Sequence, residues 1–113
     1  MGSPGEAARQ IVVGADGSAS AERALRWAGR EAARRGTSVQ IVNVGQPGAR
    51  EASQHLLERA RSTVHRAAGD DLDVSLRPLE GDAAKVLVEA SADAALLVVG
   101  TRGRGALVEA VLG

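Results

Sequence analysis

The sequence predicts an α/β fold: an open, doubly wound parallel sheet with helices on both faces. Two observations carry this. Ile11-Val12-Val13 and Ala95-Leu96-Leu97-Val98-Val99 are wholly apolar runs, each closed by a glycine, Gly14 and Gly100. Such runs suit strands covered on both faces. Between them, segments of helical period alternate with segments of strand character, the pattern of β-α-β crossovers. A chain of 113 residues, 44% hydrophobic, is sized for one core.

Each element has its own signal. The first strand is Ile11–Val13. A helix follows, with Ala21, Ala24, Leu25, Ala28 and Ala32 on one stripe and Trp27 packing at its border. Ser18 or Ser20 can cap its start, and Gly36 stands where a left-handed cap ends it. Arg26, Arg30 and Arg34 line its wet face, with Glu22–Arg26 and Glu31–Arg35 as i,i+4 pairs. The second strand is Val39–Val44, followed by a turn at Gln46-Pro47-Gly48. A second helix carries Leu56, Leu57, Ala60 and Val64 and ends at Gly69. Leu72, Val74 and Leu76 alternate with Asp73, Ser75 and Arg77, a half-buried third strand that Pro78 is expected to stop. Asp82 can cap a third helix carrying Leu87 and Ala90. The fourth strand is Ala95–Val99, and Ala106-Leu107-Val108 with Ala110-Val111-Leu112 reads as the start of a helix.

The alternating third strand belongs at an edge, and the two apolar strands belong at the centre. The simplest order is 3-2-1-4, a Rossmann-like sheet. The chain then changes direction between strands one and four, and ligands bind outside the carboxyl ends of strands at such a switch point. Two loops meet there, Gly14-Ala15-Asp16-Gly17-Ser18 and Gly100-Thr101-Arg102-Gly103-Arg104-Gly105.

Composition removes several function classes. Lys+Arg 14 balances Asp+Glu 14, so no net field attracts nucleic acid or an anionic membrane. One Trp with no Phe or Tyr supplies no base-stacking platform. The absence of cysteine excludes disulfides, zinc thiolates and thiol nucleophiles. His55 and His65, ten residues apart on one helix, are separated by about 1000° of rotation and make no metal pair. The N-terminal residues lack a signal-peptide pattern and no apolar stretch is long enough to span a membrane, so a cytoplasmic location is expected.

A glycine-rich turn between a strand and a helix exposes backbone amides at the positive end of a helix dipole, and there a phosphate fits. Arg102 and Arg104 can add charge-assisted contacts. The loop is neither a Walker A motif, since no Gly-Lys-Ser/Thr follows, nor the dinucleotide fingerprint, since Val108 replaces the third glycine. A plain strand-to-helix turn fits these residues as well. Asp16 can accept ribose hydroxyls from the end of the first strand, or serve as a turn or cap residue.

Two blocks at opposite ends carry a family resemblance. Val98-Val99-Gly100-Thr101-Arg102-Gly103-Arg104-Gly105, with Gly113 beyond, resembles the universal stress protein family, whose glycines follow the spacing of Gly100, Gly103 and Gly113. Ile11-Val12-Val13-Gly14-Ala15-Asp16-Gly17-Ser18, followed by Ala24-Leu25-Arg26-Trp27-Ala28, is similar to that family's first strand and helix. The resemblance implies an adenine-nucleotide site for ATP, with or without Mg2+. In it the Ala15 backbone meets the adenine, Asp16 lies near the ribose, and Val44 lines the base pocket. Val99 and Gly100 flank the sugar, and Gly100, Gly103 and Gly113 surround the phosphates, to which the charge of Arg102 adds.

The resemblance also implies one domain over residues 1–113, with a loose tail over 1–8 and the family's fifth strand missing beyond Gly113. The open edge that this leaves on strand four is read as the mark of a C-terminal truncation, or as covered by a partner chain in a homodimer. The implied function is regulation of a stress response by nucleotide occupancy, with at most weak ATPase activity, because no general base stands near the loop. The alternative is a dimerisation module of the same fold that binds no nucleotide.

Overall fold

The computed structural model describes residues 9–100 and, as backbone, residues 107–111. The tail expected over residues 1–8 lies outside the described residues, as do Arg102, Gly103 and Gly113. The elements are β1 (Ile11–Gly14), α1 (Ala19–Arg35), β2 (Val39–Gly45), α2 (Arg50–Ala68), β3 (Val74–Glu80), α3 (Ala83–Ala90), β4 (Leu96–Gly100) and β5 (Leu107–Val111). They form one sheet in the order β3-β2-β1-β4-β5. The first four strands are parallel, with Ile11 opposite Val39 on one side and Leu96 on the other. The order 3-2-1-4 and its switch point between β1 and β4 are therefore present.

The C-terminal segment departs from the expected pattern. Leu107–Val111 is a strand antiparallel to β4, pairing Gly100 with Leu107 and Leu96 with Val111. The predicted helix start is thus corrected, and so are the four-stranded sheet without a fifth strand and the exposed edge of β4. A five-residue segment, four of its residues apolar around Glu109, has no decisive period, and an unpaired strand edge rewards a partner wherever the chain can return to it. Pro78 also stands within β3 rather than ending it, opposite Asn43. An edge strand tolerates this, because half of its N–H groups have no ladder partner.

Local chemistry sets the helix limits. Ser18, in extended backbone, accepts the Ala21 N–H on its hydroxyl at 3.1 Å and is the cap of α1. At the other end Gly36 takes φ +71°, and the Thr37 N–H returns to the Ala32 carbonyl at 3.0 Å. A side chain is strained in that left-handed conformation, which is why glycine stands here.

The two faces of the sheet are covered unequally. Ala24, Leu25, Ala28 and Ala32 of α1 and Leu57, Ala60 and Val64 of α2 pack on Ile11, Val13, Val39, Ile41, Leu96 and Val98. Gly29 lets these helices close, since a Cβ there would lie 3.0 Å from a Val64 methyl. Trp27 is half-buried at the border of this cluster. On the opposite face the core is Val12, Val42 and Ala94, with Val44, Leu79, Leu87, Ala90 and Leu97 around it. There α3 is the covering helix among the described residues. It has no buried residue, and its Val88 is 59% exposed.

On the wet side of α1, Glu31 is paired with both Arg34 and Arg35. Hydrogen bonds from Arg34 and then Arg35 hold its carboxyl down at about 2, against 4.5 for an unperturbed glutamate. Because the folded value is depressed, the pairing favours the fold fully above pH 4.5, and its contribution fades as pH falls toward 2. An NMR titration of the Glu31 carboxyl is expected to show the low midpoint. Replacing both arginines by glutamine should return it toward 4.5.

Candidate functional site

The site begins with how β1 ends. Ala15 is 5% exposed and has both backbone groups engaged. Its N–H donates to the Val42 carbonyl at 2.9 Å, and its carbonyl accepts from Asn43 Nδ2 at 2.7 Å. Beyond this fixed point the chain leaves the sheet. Asp16 is exposed at the rim and accepts the Ser18 N–H on Oδ1 at 2.9 Å. Gly17, at φ +84°, turns the chain into α1. Asp16 is therefore a turn residue, as one of its two sequence readings had it, while Ser18 supplies the cap. The turn takes its hydrogen bond on one oxygen of that carboxylate.

A cleft of about 170 Å³ opens beside this turn, at the carboxyl ends of β1, β2 and β4. Ala15, Asp16, Val44, Val99 and Gly100, all singled out from the sequence, lie together on its wall. Gly14, Ala21, Val42, Asn43, Ala83 and Leu87 complete the lining. Of these, Gly14 lies in a loop already assigned to the site, while Ala21, Val42, Asn43, Ala83 and Leu87 were not anticipated. A polar Asn within the run Val39–Gly45 was the one available sign, whereas α3 enters the wall only through the tertiary fold.

Two glycines shape the cleft. A Cβ on Gly14 would lie 3.3 Å from both Leu87 and Val99 side-chain carbons, so its absence lets these two aliphatic groups approach. A Cβ on Gly100 would lie 2.5 Å from the Ser20 carbonyl oxygen and 2.7 Å from the Ala21 nitrogen. Those are backbone atoms and cannot step aside as a flexible side chain would. Gly100 is thus the residue that brings β4 against the first turn of α1.

The chemistry offered is that of binding. Most of the wall is aliphatic, and among the described lining residues Asp16 is the sole titratable side chain. An apolar slot with a few polar groups at its mouth is the usual form of a small-molecule site. No group of three or more His, Asp or Glu side chains that could hold a metal ion occurs among the described residues. His55 is exposed, and His65 lies with Nε2 3.0 Å from the Leu72 carbonyl, tying the end of α2 to the segment before β3.

Replacing Gly100 by alanine is expected to push β4 away from α1, a cost of about 1–3 kcal/mol by the usual penalty for overpacking. Urea denaturation would measure it. An unchanged midpoint would show that the two backbones separate freely.

Comparison with known proteins follows the same lines. Residues 7–113 match the sequence profile of the universal stress protein family. A universal stress protein of Mycolicibacterium smegmatis is 31% identical over 91% of this chain and 41% of its own length. One from Mycobacterium tuberculosis is 33% identical over 93% of this chain and 42% of its own length. The chain therefore spans less than half the length of these relatives. Among solved structures, a universal stress protein in complex with cAMP superposes with a TM-score of 0.73 at 32% identity, covering 81% of this chain and 72% of that one. A universal stress protein from Archaeoglobus fulgidus in complex with dAMP gives a TM-score of 0.70 at 27% identity, covering 85% of this chain and 83% of that one.

Proposed function

As this chain belongs to the universal stress protein family, we propose that it binds an adenine nucleotide in the cleft between β1 and β4 and acts in the cytoplasm as a nucleotide-responsive regulatory protein. The observation that carries the reading is the meeting of Ala15, Asp16, Val44, Val99 and Gly100 on one cleft wall at the switch point. Two similar structures hold the adenylates cAMP and dAMP.

The size of the cleft suits part of the ligand. Its 170 Å³ is below the range of about 300–1,000 Å³ usual for complete ligand pockets. It has room for the base and its approach to the sugar, with Val44 and Val99 as apolar walls and Asp16 as acceptor for ribose hydroxyls. The phosphates then belong to the segment that continues from Gly100, where Arg102, Gly103 and Gly113 are the proposed contacts. Asp16 is the sole carboxylate on the described wall, so Mg2+ would be held chiefly through the phosphates.

Asp16 is the one candidate base on the described wall and is engaged in its turn, so binding outlasts turnover and hydrolysis is slow. The alternative of a module acting only by dimerisation drew on an exposed β4 edge, and β5 occupies that edge. Among the described residues no helix is long and apolar enough to cross a membrane.

Calorimetry with ATP and with adenosine tests the proposal. Both are expected to bind at one site, and Gly103→Val should weaken ATP by about tenfold or more, about 1.4 kcal/mol. Adenosine affinity should stay near that of the parent. A folded protein indifferent to both ligands would sink the nucleotide reading.

A further inference from the structure

Asn43 is a polar side chain only 8% exposed, set in a strand whose other buried residues, Val39, Ile41 and Val42, are aliphatic. A buried amide costs free energy unless its donors and acceptors are met. Here both ends are engaged. Nδ2 donates to the Ala15 carbonyl at 2.7 Å, and Oδ1 accepts from Ser53 Oγ at 2.7 Å. The amide orientation is forced, because a carbonyl oxygen can only accept and so must face the nitrogen.

Ser53 belongs to α2 and is itself 6% exposed. Its hydroxyl has room because residue 45 is glycine; a Cβ there would stand 2.9 Å from Ser53 Oγ. One buried chain of hydrogen bonds thus runs from α2 through β2 to Ala15, the residue between the end of β1 and the turn. Ala15 is already tied to Val42 through its N–H, so Asn43 removes its remaining backbone freedom. The next residue is Asp16.

We infer that Asn43, oriented by Ser53, is a positioning residue for the nucleotide site, fixing Ala15 so that the Asp16 carboxylate stands where it discriminates ribose hydroxyls. The inference rests on the nucleotide reading above and adds to it the residues that set sugar selectivity. Asn43 acts through Ala15 and Asp16 and is not assigned a contact with ligand. A carboxylate one residue beyond a doubly anchored peptide is held within a small range, and selective recognition of a hydroxyl pair needs that.

The test compares adenosine with 2′,3′-dideoxyadenosine, which lacks both hydroxyls, by calorimetry on the full chain. The parent is expected to prefer adenosine by about tenfold, the worth of a hydrogen bond to a charged group. Asp16→Ala sets the floor of that preference. Asn43→Asp replaces the donor facing Ala15 by an acceptor, and the preference should fall to the same floor, with no further loss in the double variant. Hydrogen exchange at the Ser18 amide, which donates to Asp16, should also quicken.

If Asn43→Asp does not fold, Ser53→Ala serves in its place. It removes only the hydroxyl, and both the preference and Ser18 protection should fall about threefold. A folded variant that weakens both nucleosides equally, or that keeps the parent preference, overturns the positioning role. So does a parent that binds adenosine without discriminating the hydroxyls, and the nucleotide reading then survives alone. A parent that binds neither nucleoside nor ATP overturns both.

Discussion

The close approach of β4 to α1 is the constraint on which the carboxyl end of this sheet depends. At Gly100 the strand runs against the backbone of Ser20 and Ala21, a spacing no Cβ would permit. That contact sets where α1 begins relative to the sheet. It also sets where the turn over Asp16 and Gly17 must pass, and how wide the gap between β1 and β4 can be. Hydrophobic packing of α1 and α2 supplies most of the cohesion, but packing is tolerant of small shifts. Two backbones in contact are not. The site inherits its shape from the less forgiving interaction.

A second, polar constraint works alongside it. The hydrogen bonds from Ser53 to Asn43 to Ala15 join α2, β2 and β1 at the same end of the molecule. Buried and fully satisfied, such a chain specifies one arrangement where aliphatic contacts alone would admit several. Gly45 and Gly100 play comparable parts, each leaving space that a neighbouring polar or backbone group fills. The carboxyl end is therefore fixed by short directional contacts, and the middle of the sheet by apolar burial.

Much of this was legible in the sequence because its causes are local. The runs at Ile11–Val13 and Leu96–Val99 announce doubly covered strands, and Ser18 and Gly36 announce the ends of α1 through bonds within a few residues. Strand order alone brings the loops at Gly14–Ser18 and Gly100–Gly105 to one end of the sheet, whereas Val44 and Val99 joined the site through the family resemblance. What escaped depends on contacts distant in the chain. Leu107–Val111 pairs as a strand because β4 offers an edge, which no local period reveals. Pro78 sits inside β3 because that strand lies at the margin of the sheet. Asn43 meets Ala15 across 28 residues, so its spelling in the run Val39–Gly45 looks like a mere interruption. Gly100 was read as a close approach to a ligand, and its neighbour in the structure is also a helix.

The thin cover on the second face has a consequence of its own. α3 contributes Ala83 and Leu87 to the cleft yet buries none of its residues completely. Segments with so little enclosed surface separate from a fold at a small fraction of the free energy needed to melt it. One flank of the cleft is thus a door hung on a rigid frame. The Gly100 and Asn43 contacts lie outside α3, so the frame of the cleft does not depend on how firmly those eight residues are held.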